Sequence, residues 1–150
     1  MPSGTIGVVK TEFSRTLSDG NAGLQALLDA AEQFFTDHAV PDRTAAQILV
    51  ALDEITSNIF VHGSSAAEPT VHVRLRKAPD RVAIEIVDDG AAFDPLAATP
   101  PDISLPVEER PIGGLGLHIV RKTMDNLRYD RDHGQNRLRF YKRFALDDGV

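Results

Sequence analysis

A chain of 150 residues, 42% hydrophobic and 25% charged with 11 glycines, has the length and apolar content of one globular domain that buries about two thirds of its unfolded surface. It has no cysteine and a formal net charge of -6 at pH 7. Disulfide scaffolds, thiolate zinc sites and cysteine nucleophiles are thereby excluded, and broad adhesion to nucleic acid or anionic membranes lacks the basic surface it needs.

No apolar run approaches the roughly 18 residues of a membrane span. The opening MPSGTIGVVKTEF has no basic stretch leading into an apolar one, so a soluble, unexported protein is expected, its redox compartment left open though the cytoplasm fits. A short opening strand is predicted over residues 5–13 from their β-branched content. Ser18, Asp19 and Asn21 then offer side-chain oxygens to free backbone N–H groups, which predicts a helix start. Leu24, Leu27, Leu28, Ala31, Phe34 and Phe35 follow at helical spacing as its buried stripe. Pro41 breaks the chain. Asp42 and the Thr44-x-x-Gln47 pair mark a second helix with Ile48, Leu52, Ile55 and Ile59 inward, ending near His62-Gly63.

Two strands follow, residues 70–76 with Val71, Val73 and Leu75 inward and residues 81–88 with Val82, Ile84 and Ile86 inward. The Ala78-Pro79-Asp80 link makes them a hairpin. Residues 91–112 carry five prolines and read as a long loop, the kind that in a compact domain is a functional lid or disordered. A third helix opens at glycines 113–116 and buries Leu117, Val120, Met124 and Leu127. A last hairpin closes around His133-Gly134-Gln135. Its second strand alternates, with Leu138, Phe140 and Phe144 on one side and Arg137, Arg139, Tyr141 and Arg143 on the other, so the basic end of the chain is a half-buried strand with a solvated face. There is no internal repeat. The order β-α-α-β-β-loop-α-β-β predicts an α+β fold, a two-layer α/β sandwich with helices on one face of a mainly antiparallel sheet, as a single domain over 1–150.

Three segments carry chemistry. In Leu52-Asp53-Glu54-Ile55-Thr56-Ser57-Asn58-Ile59-Phe60-Val61-His62-Gly63, Glu54 and Asn58 fall about 40° apart on one helical stripe, beside Ala51 and His62. An amide oxygen is a neutral ligand for a hard cation such as Mg2+, and a carboxylate one turn away can orient or deprotonate a nucleophile. In isolation such a pair more often marks an exposed polar edge. In Ile86-Val87-Asp88-Asp89-Gly90-Ala91-Ala92-Phe93-Asp94-Pro95, Asp88 continues the inward row of Val82, Ile84 and Ile86. A buried carboxylate needs donors, and an exocyclic purine amine is one candidate, with Gly90 letting a base lie against backbone. The competing reading is an Asp-Gly turn that ends the strand, with Phe93 as a core plug. In Pro111-Ile112-Gly113-Gly114-Leu115-Gly116-Leu117-His118-Ile119-Val120, glycines open a helix whose bare N–H groups suit a polyphosphate. It is neither a Walker loop nor a dinucleotide fingerprint, and a flexible hinge with a helix start fits it equally.

In this order the three segments resemble the N box and the two glycine boxes of the GHKL ATP-binding fold shared by gyrase, histidine kinases and MutL. More closely, Asp88-x-Gly90-x-x-Phe93-Asp94-Pro95 followed by Gly113-Gly114-Leu115-Gly116-Leu117-x-Ile119-Val120 is similar to the small single-domain branch, the anti-sigma factor serine kinases of the RsbW and SpoIIAB type. The resemblance implies that Glu54 is the general base toward a serine hydroxyl or water and that Asn58 holds Mg2+ against the ATP triphosphate. It implies that Asp88 accepts from the adenine amine, with Gly90 and Phe93 shaping the base pocket. Gly113, Gly114, Leu115, Gly116 and Leu117 would end a lid of residues 96–112 and present amides to the phosphates. His62, at a His-Gly common in this branch, and Arg110 in the lid would border the nucleotide; a structural histidine and a solvated loop cation are the plainer readings of the two.

Two departures stand out. Ala92 holds the place of a second glycine, and Asn136-Arg137-Leu138 stands where many members have a Gly-Thr pair whose hydroxyl helps hold adenine. His38, His72, His118 and His133 show no metal-ligand spacing. The resemblance thus implies an ATP- and Mg2+-dependent serine/threonine kinase of the bacterial cytoplasm. It would phosphorylate a small anti-anti-sigma (STAS-type) antagonist, and could also sequester a sigma factor and form a homodimer, with no direct contact to nucleic acid or membrane. The alternative is a nucleotide-binding switch that regulates a partner by contact alone.

Overall fold

In the computed structural model, which describes residues 11–62, 68–97 and 114–145, the elements are β1 (Glu12–Leu17), α1 (Leu24–Asp37), α2 (Asp42–His62), β2 (Val71–Ala78), β3 (Arg81–Asp88), α3 (Gly114–Thr123), β4 (Asp125–Asp132) and β5 (Gln135–Arg143). The five strands form one sheet in the order β1-β2-β3-β5-β4, each neighbour antiparallel. This is the α+β arrangement that the element order predicts.

The period-2 rows decide which face is buried. Val71, Val73 and Leu75 of β2, Val82, Ile84 and Ile86 of β3, and Leu138 and Phe140 of β5 are all buried, and they meet Leu27, Ala31 and Phe35 of α1 and Ile48, Leu52 and Ile55 of α2 in one core. A fully buried aliphatic side chain contributes about 1.5–3 kcal/mol through the area it removes from water, so truncating Leu52 to Ala costs about 2–5 kcal/mol. The opposite face is polar. There Glu85 sits within 3.9 Å of Arg74, 3.2 Å of Arg137 and 3.6 Å of Arg139, and such solvated pairs each contribute about 0–1 kcal/mol.

Both hairpins close as their sequences dictate. Ala78 pairs with Arg81 across Pro79-Asp80, and the Arg81 guanidinium, bonded to the Asp80 carboxylate at 3.1 Å, holds that carboxyl below its ordinary value. Between β4 and β5, His133 (φ 52) and Gly134 (φ 75) both take the left-handed conformation, the two-residue turn whose twist matches the flanking strands.

Several expectations are corrected. The opening strand is Glu12–Leu17, later than residues 5–13, of which 5–10 lie outside the described residues. Its inward positions are Phe13 and Leu17, paired with Leu75 and Val71, and the intervening Ser14, Arg15 and Thr16 disguise the row. Asp19 makes no side-chain capping bond; a 3-10 turn, Gly20–Gly23, leads into α1 instead. In α2 the Pro41 carbonyl accepts from the Ala45 N–H at 2.9 Å, so the helix starts at Asp42, before Thr44 could cap it. Leu127 belongs to β4 and not to α3. The helix ends at Thr123, whose carbonyl accepts from the Lys142 ammonium at 2.7 Å, a cation where the helix dipole is negative. Asn126 (φ 54) lies at the irregular start of the edge strand, where the β4–β5 register shifts between Asp125 and Arg128.

Candidate functional site

Between the helical layer and one end of the sheet lies a narrow cleft lined by Ile55, Asn58 and Ile59 of α2, Ile86 and Asp88 of β3, Leu117 of α3, Tyr129 of β4, and Asn136 and Leu138 of β5, with Ala91, Phe93 and Pro95 between them. Its largely apolar walls with a few convergent polar groups are the lining of a small-molecule site.

The sheet end follows from strand register. The inward row of β3 runs Val82, Ile84, Ile86 and ends at Asp88, 5% exposed. The inward row of β5 runs Phe140, Leu138 and ends at Asn136, also 5% exposed, and the two polar residues are cross-strand partners. Asp88 Oδ1 accepts from the Gly90 N–H at 2.9 Å and from Asn136 Nδ2 at 3.0 Å. Asn136 Nδ2 also donates to the Ala91 carbonyl at 2.9 Å, and its Oδ1 accepts from the Phe93 N–H at 3.4 Å and closely from the Tyr129 hydroxyl. Arg131 Nη1 donates to the Gly90 carbonyl at 2.7 Å. Burial pushes the Asp88 carboxyl above its ordinary 3.8, opposed by the Asn136 and Gly90 bonds and the Arg131 charge. Asp89 follows the strand, its carboxylate accepting from the Thr70 N–H at 2.7 Å. Phe93, partly buried, packs on the core. The turn-and-plug reading of this segment is therefore real, and it shapes the same cleft that Asp88 faces.

At the helix end, Asn58 Nδ2 donates to the Glu54 carbonyl at 2.6 Å and to Glu54 Oε1 at 3.3 Å. These two acceptors fix which way the amide points, because reversing it would set oxygen against oxygen. The Asn58 carbonyl oxygen accepts no hydrogen bond among the described residues. Glu54 in turn lies on α3: a Cβ built on Gly116 would overlap the Glu54 carboxyl carbon.

The structure thus brings Asn58, Asp88, Phe93 and Leu117 to one cleft, joins Gly90 to Asp88 by a hydrogen bond, and places Glu54 between Asn58 and Gly116. Gly114 and Leu115 begin the first turn of α3, and His62 is the last residue of α2. Arg110, Gly113 and residues 98–112 of the expected lid lie outside the described residues; of that lid only Leu96 and Ala97 are described, within the 3-10 turn Pro95–Ala97. Asn136, Tyr129 and Arg131 were missed as site residues. The readable signal was Asn136 itself, a polar residue ending the apolar row Leu138, Phe140 on a strand two positions from a turn. Among the described residues no three His, Asp or Glu side chains gather as a metal site, and no helix is long and apolar enough to cross a membrane.

Residues 18–142 match the family model described as the histidine kinase-like ATPase domain. The chain is 33% identical over 111 residues to the serine/threonine-protein kinase BtrW of Bordetella bronchiseptica, covering 70% of this chain and 78% of that protein. It is 31% identical over 93 residues to the serine-protein kinase RsbW of Bacillus cereus, covering 59% of this chain and 58% of that one. With its antiparallel sheet under helices, the chain belongs to the histidine kinase-like ATPase domain family, alongside the serine/threonine-protein kinase BtrW and the serine-protein kinase RsbW.

Proposed function

We propose that the chain is an ATP- and Mg2+-dependent serine/threonine kinase that transfers phosphate to a small antagonist protein and sequesters a sigma factor. The observation that carries this reading is the meeting in one cleft of a buried strand-end carboxylate, Asp88, and a helical amide, Asn58, whose oxygen accepts no hydrogen bond among the described residues. The apolar walls from Ile55, Ile86 and Leu117 suit a flat base, and the Asp88 carboxylate beyond them accepts from its exocyclic amine.

Asn58 suits Mg2+, because its amide donors are spent on Glu54 and leave a neutral oxygen for a hard cation. When bound, the ion neutralises charge on the phosphates. Glu54 accepts the proton of the attacking serine hydroxyl, and its place against Gly116 brings it beside the α3 N-terminus, where bare N–H groups and the helix dipole favour phosphate oxygens. Phosphoryl transfer draws most of its acceleration from such positioning and charge neutralisation. Arg110, His62 and Gly113 are carried in this proposal by family resemblance alone.

The first test is calorimetric titration with ATP and ADP, with and without Mg2+, on the wild type and Asn58→Ala, followed by labelled-phosphate transfer to candidate antagonist proteins. Mg2+-dependent binding that Asn58→Ala loses, together with transfer, is expected. Absence of any nucleotide binding would overturn the proposal, and binding without transfer to any partner would leave a switch that acts by contact.

A further inference from the structure

We infer that Asn136, locked by the Tyr129 hydroxyl, is the positioning residue that commits one oxygen of Asp88 to the protein and leaves the other to select a 6-amino over a 6-oxo purine. The inference rests on the nucleotide reading of the cleft. An asparagine amide has two N–H donors and an oxygen with two lone pairs. Both donor bonds of Asn136 go to acceptors, Asp88 Oδ1 and the Ala91 carbonyl, and both acceptor bonds come from donors, the Tyr129 hydroxyl and the Phe93 N–H. Nothing on the amide is left for a ligand. Nor can it turn over, since reversal would face its oxygen to two acceptors and its NH2 to the Phe93 N–H. A buried amide so saturated acts through its neighbours.

Its neighbour is Asp88. Both hydrogen bonds that Asp88 accepts fall on Oδ1, and Oδ2 has no partner among the described residues. An ionised carboxylate only accepts, so a purine carrying an amine at C6 satisfies Oδ2, while a carbonyl there meets like charge and leaves two acceptors facing each other. The selection requires that Asp88 keep both its orientation and its charge. Asn136, on the adjacent strand, serves both needs. The other charged or titratable groups around Asp88 are Asp89 next in the chain, which disfavours the charge, Arg131 from β4, which favours it, and Tyr129 from β4 with Asp94 beside it.

The test compares Mg2+-ATP with Mg2+-ITP, which differ at C6, by calorimetric titration of wild type, Asn136→Ala and Tyr129→Phe between pH 5 and 8. The wild type is expected to prefer ATP by tenfold or more, as a site built to hydrogen-bond a substrate group does on the order of 10-fold to far beyond. Asn136→Ala should bring the two affinities within about threefold, and should lose ATP binding on acidification at a higher pH than wild type does, because Asp88 has lost a donor that favours its charge. Tyr129→Phe removes one small hydroxyl without opening the core and should lower the ATP preference several-fold while the protein stays folded, which keeps the test decisive if Asn136→Ala does not fold. An unchanged preference in Tyr129→Phe and in any folded Asn136→Ala overturns the inference, as does equal binding of ATP and ITP by the wild type. Failure of the wild type to bind either nucleotide would instead overturn the nucleotide reading on which it rests.

Discussion

At the sheet end of the cleft three strands each supply one polar side chain, Asp88 from β3, Tyr129 from β4 and Asn136 from β5, and hydrogen bonds join all three. At the helix end Glu54 and Asn58 stand one turn apart on α2 alone, and what they meet across the gap is a glycine, Gly116 of α3. The strands are fixed relative to one another by their backbone ladders, so the sheet end can shift only if register is broken. Packed helices can slide by an ångström or two without breaking a backbone bond. The proposed recognition therefore rests on the part of the fold that cannot adjust, and the proposed chemistry on the part that can.

A single substitution does most at the helix end. Glu54→Ala should lower phosphate transfer by about 10²–10⁴-fold, the range for removing a general base, while ATP affinity changes by less than about threefold because the carboxylate does not hold the nucleotide. Labelled-phosphate transfer with a competent acceptor, beside a binding titration, reads both numbers. Normal transfer would remove Glu54 from the chemistry. At the sheet end Asp88→Asn should act in the opposite sense. Losing a hydrogen bond to a charged group costs about 1.5–3 kcal/mol, or roughly 10–150-fold in ATP affinity, and turnover at saturating ATP should fall far less. A variant that kept ATP affinity would show that Asp88 is only a strand terminator.

How much of this was legible beforehand follows the same division. The rows of β2 and β3 and the core stripe of α2 were readable because period 2 and period 3.6 are unambiguous when aliphatic residues fill them, as at Val71-Val73-Leu75 and Ile48-Leu52-Ile55. Asp88 was readable as the polar end of such a row. Asn136 could be read as the polar end of its row and as a departure from the family pattern, but its role depends on the β3–β5 register that sets it opposite Asp88, and register between residues 48 apart is not written in local sequence. β1 was misplaced for a different reason. Ser14, Arg15 and Thr16 dilute its alternation to two apolar positions, Phe13 and Leu17, and its extent through Leu17 is set by pairing with β2. The end of α3 was hidden because Leu127 continues the helical spacing although the chain has already entered β4 at Asp125.

The helix end offers a sharper and smaller test. Gly116→Ala raises helix propensity by up to about 1 kcal/mol, but its methyl would occupy the place of the Glu54 carboxyl. A glutamate side chain is flexible enough to swing aside, so the fold should tolerate the change while transfer drops by about tenfold, the scale expected when a catalytic group is misplaced by an ångström. The double variant Glu54→Ala/Gly116→Ala should be more stable to urea than Glu54→Ala alone, since the space is vacant there. Equal stability gains from Gly116→Ala in both backgrounds would show that the two residues do not compete for that space.

The smallest effect concerns stability without ligand, at the sheet end. Burial raises the Asp88 pKa above 3.8, so in the window from 3.8 up to the raised value the folded chain holds a proton that the unfolded chain has released. The unfolded state binds fewer protons there, and this residue's contribution to stability falls as pH rises through the window. Asparagine at 88 does not titrate. The urea midpoint of Asp88→Asn, measured against wild type at pH 4 and again at pH 7, should therefore move in favour of the variant as the pH increases. Movement in the other direction would mean that the donors from Asn136 and Gly90, together with Arg131, outweigh burial, and that the sheet end is already arranged to hold the carboxylate charged before any ligand arrives.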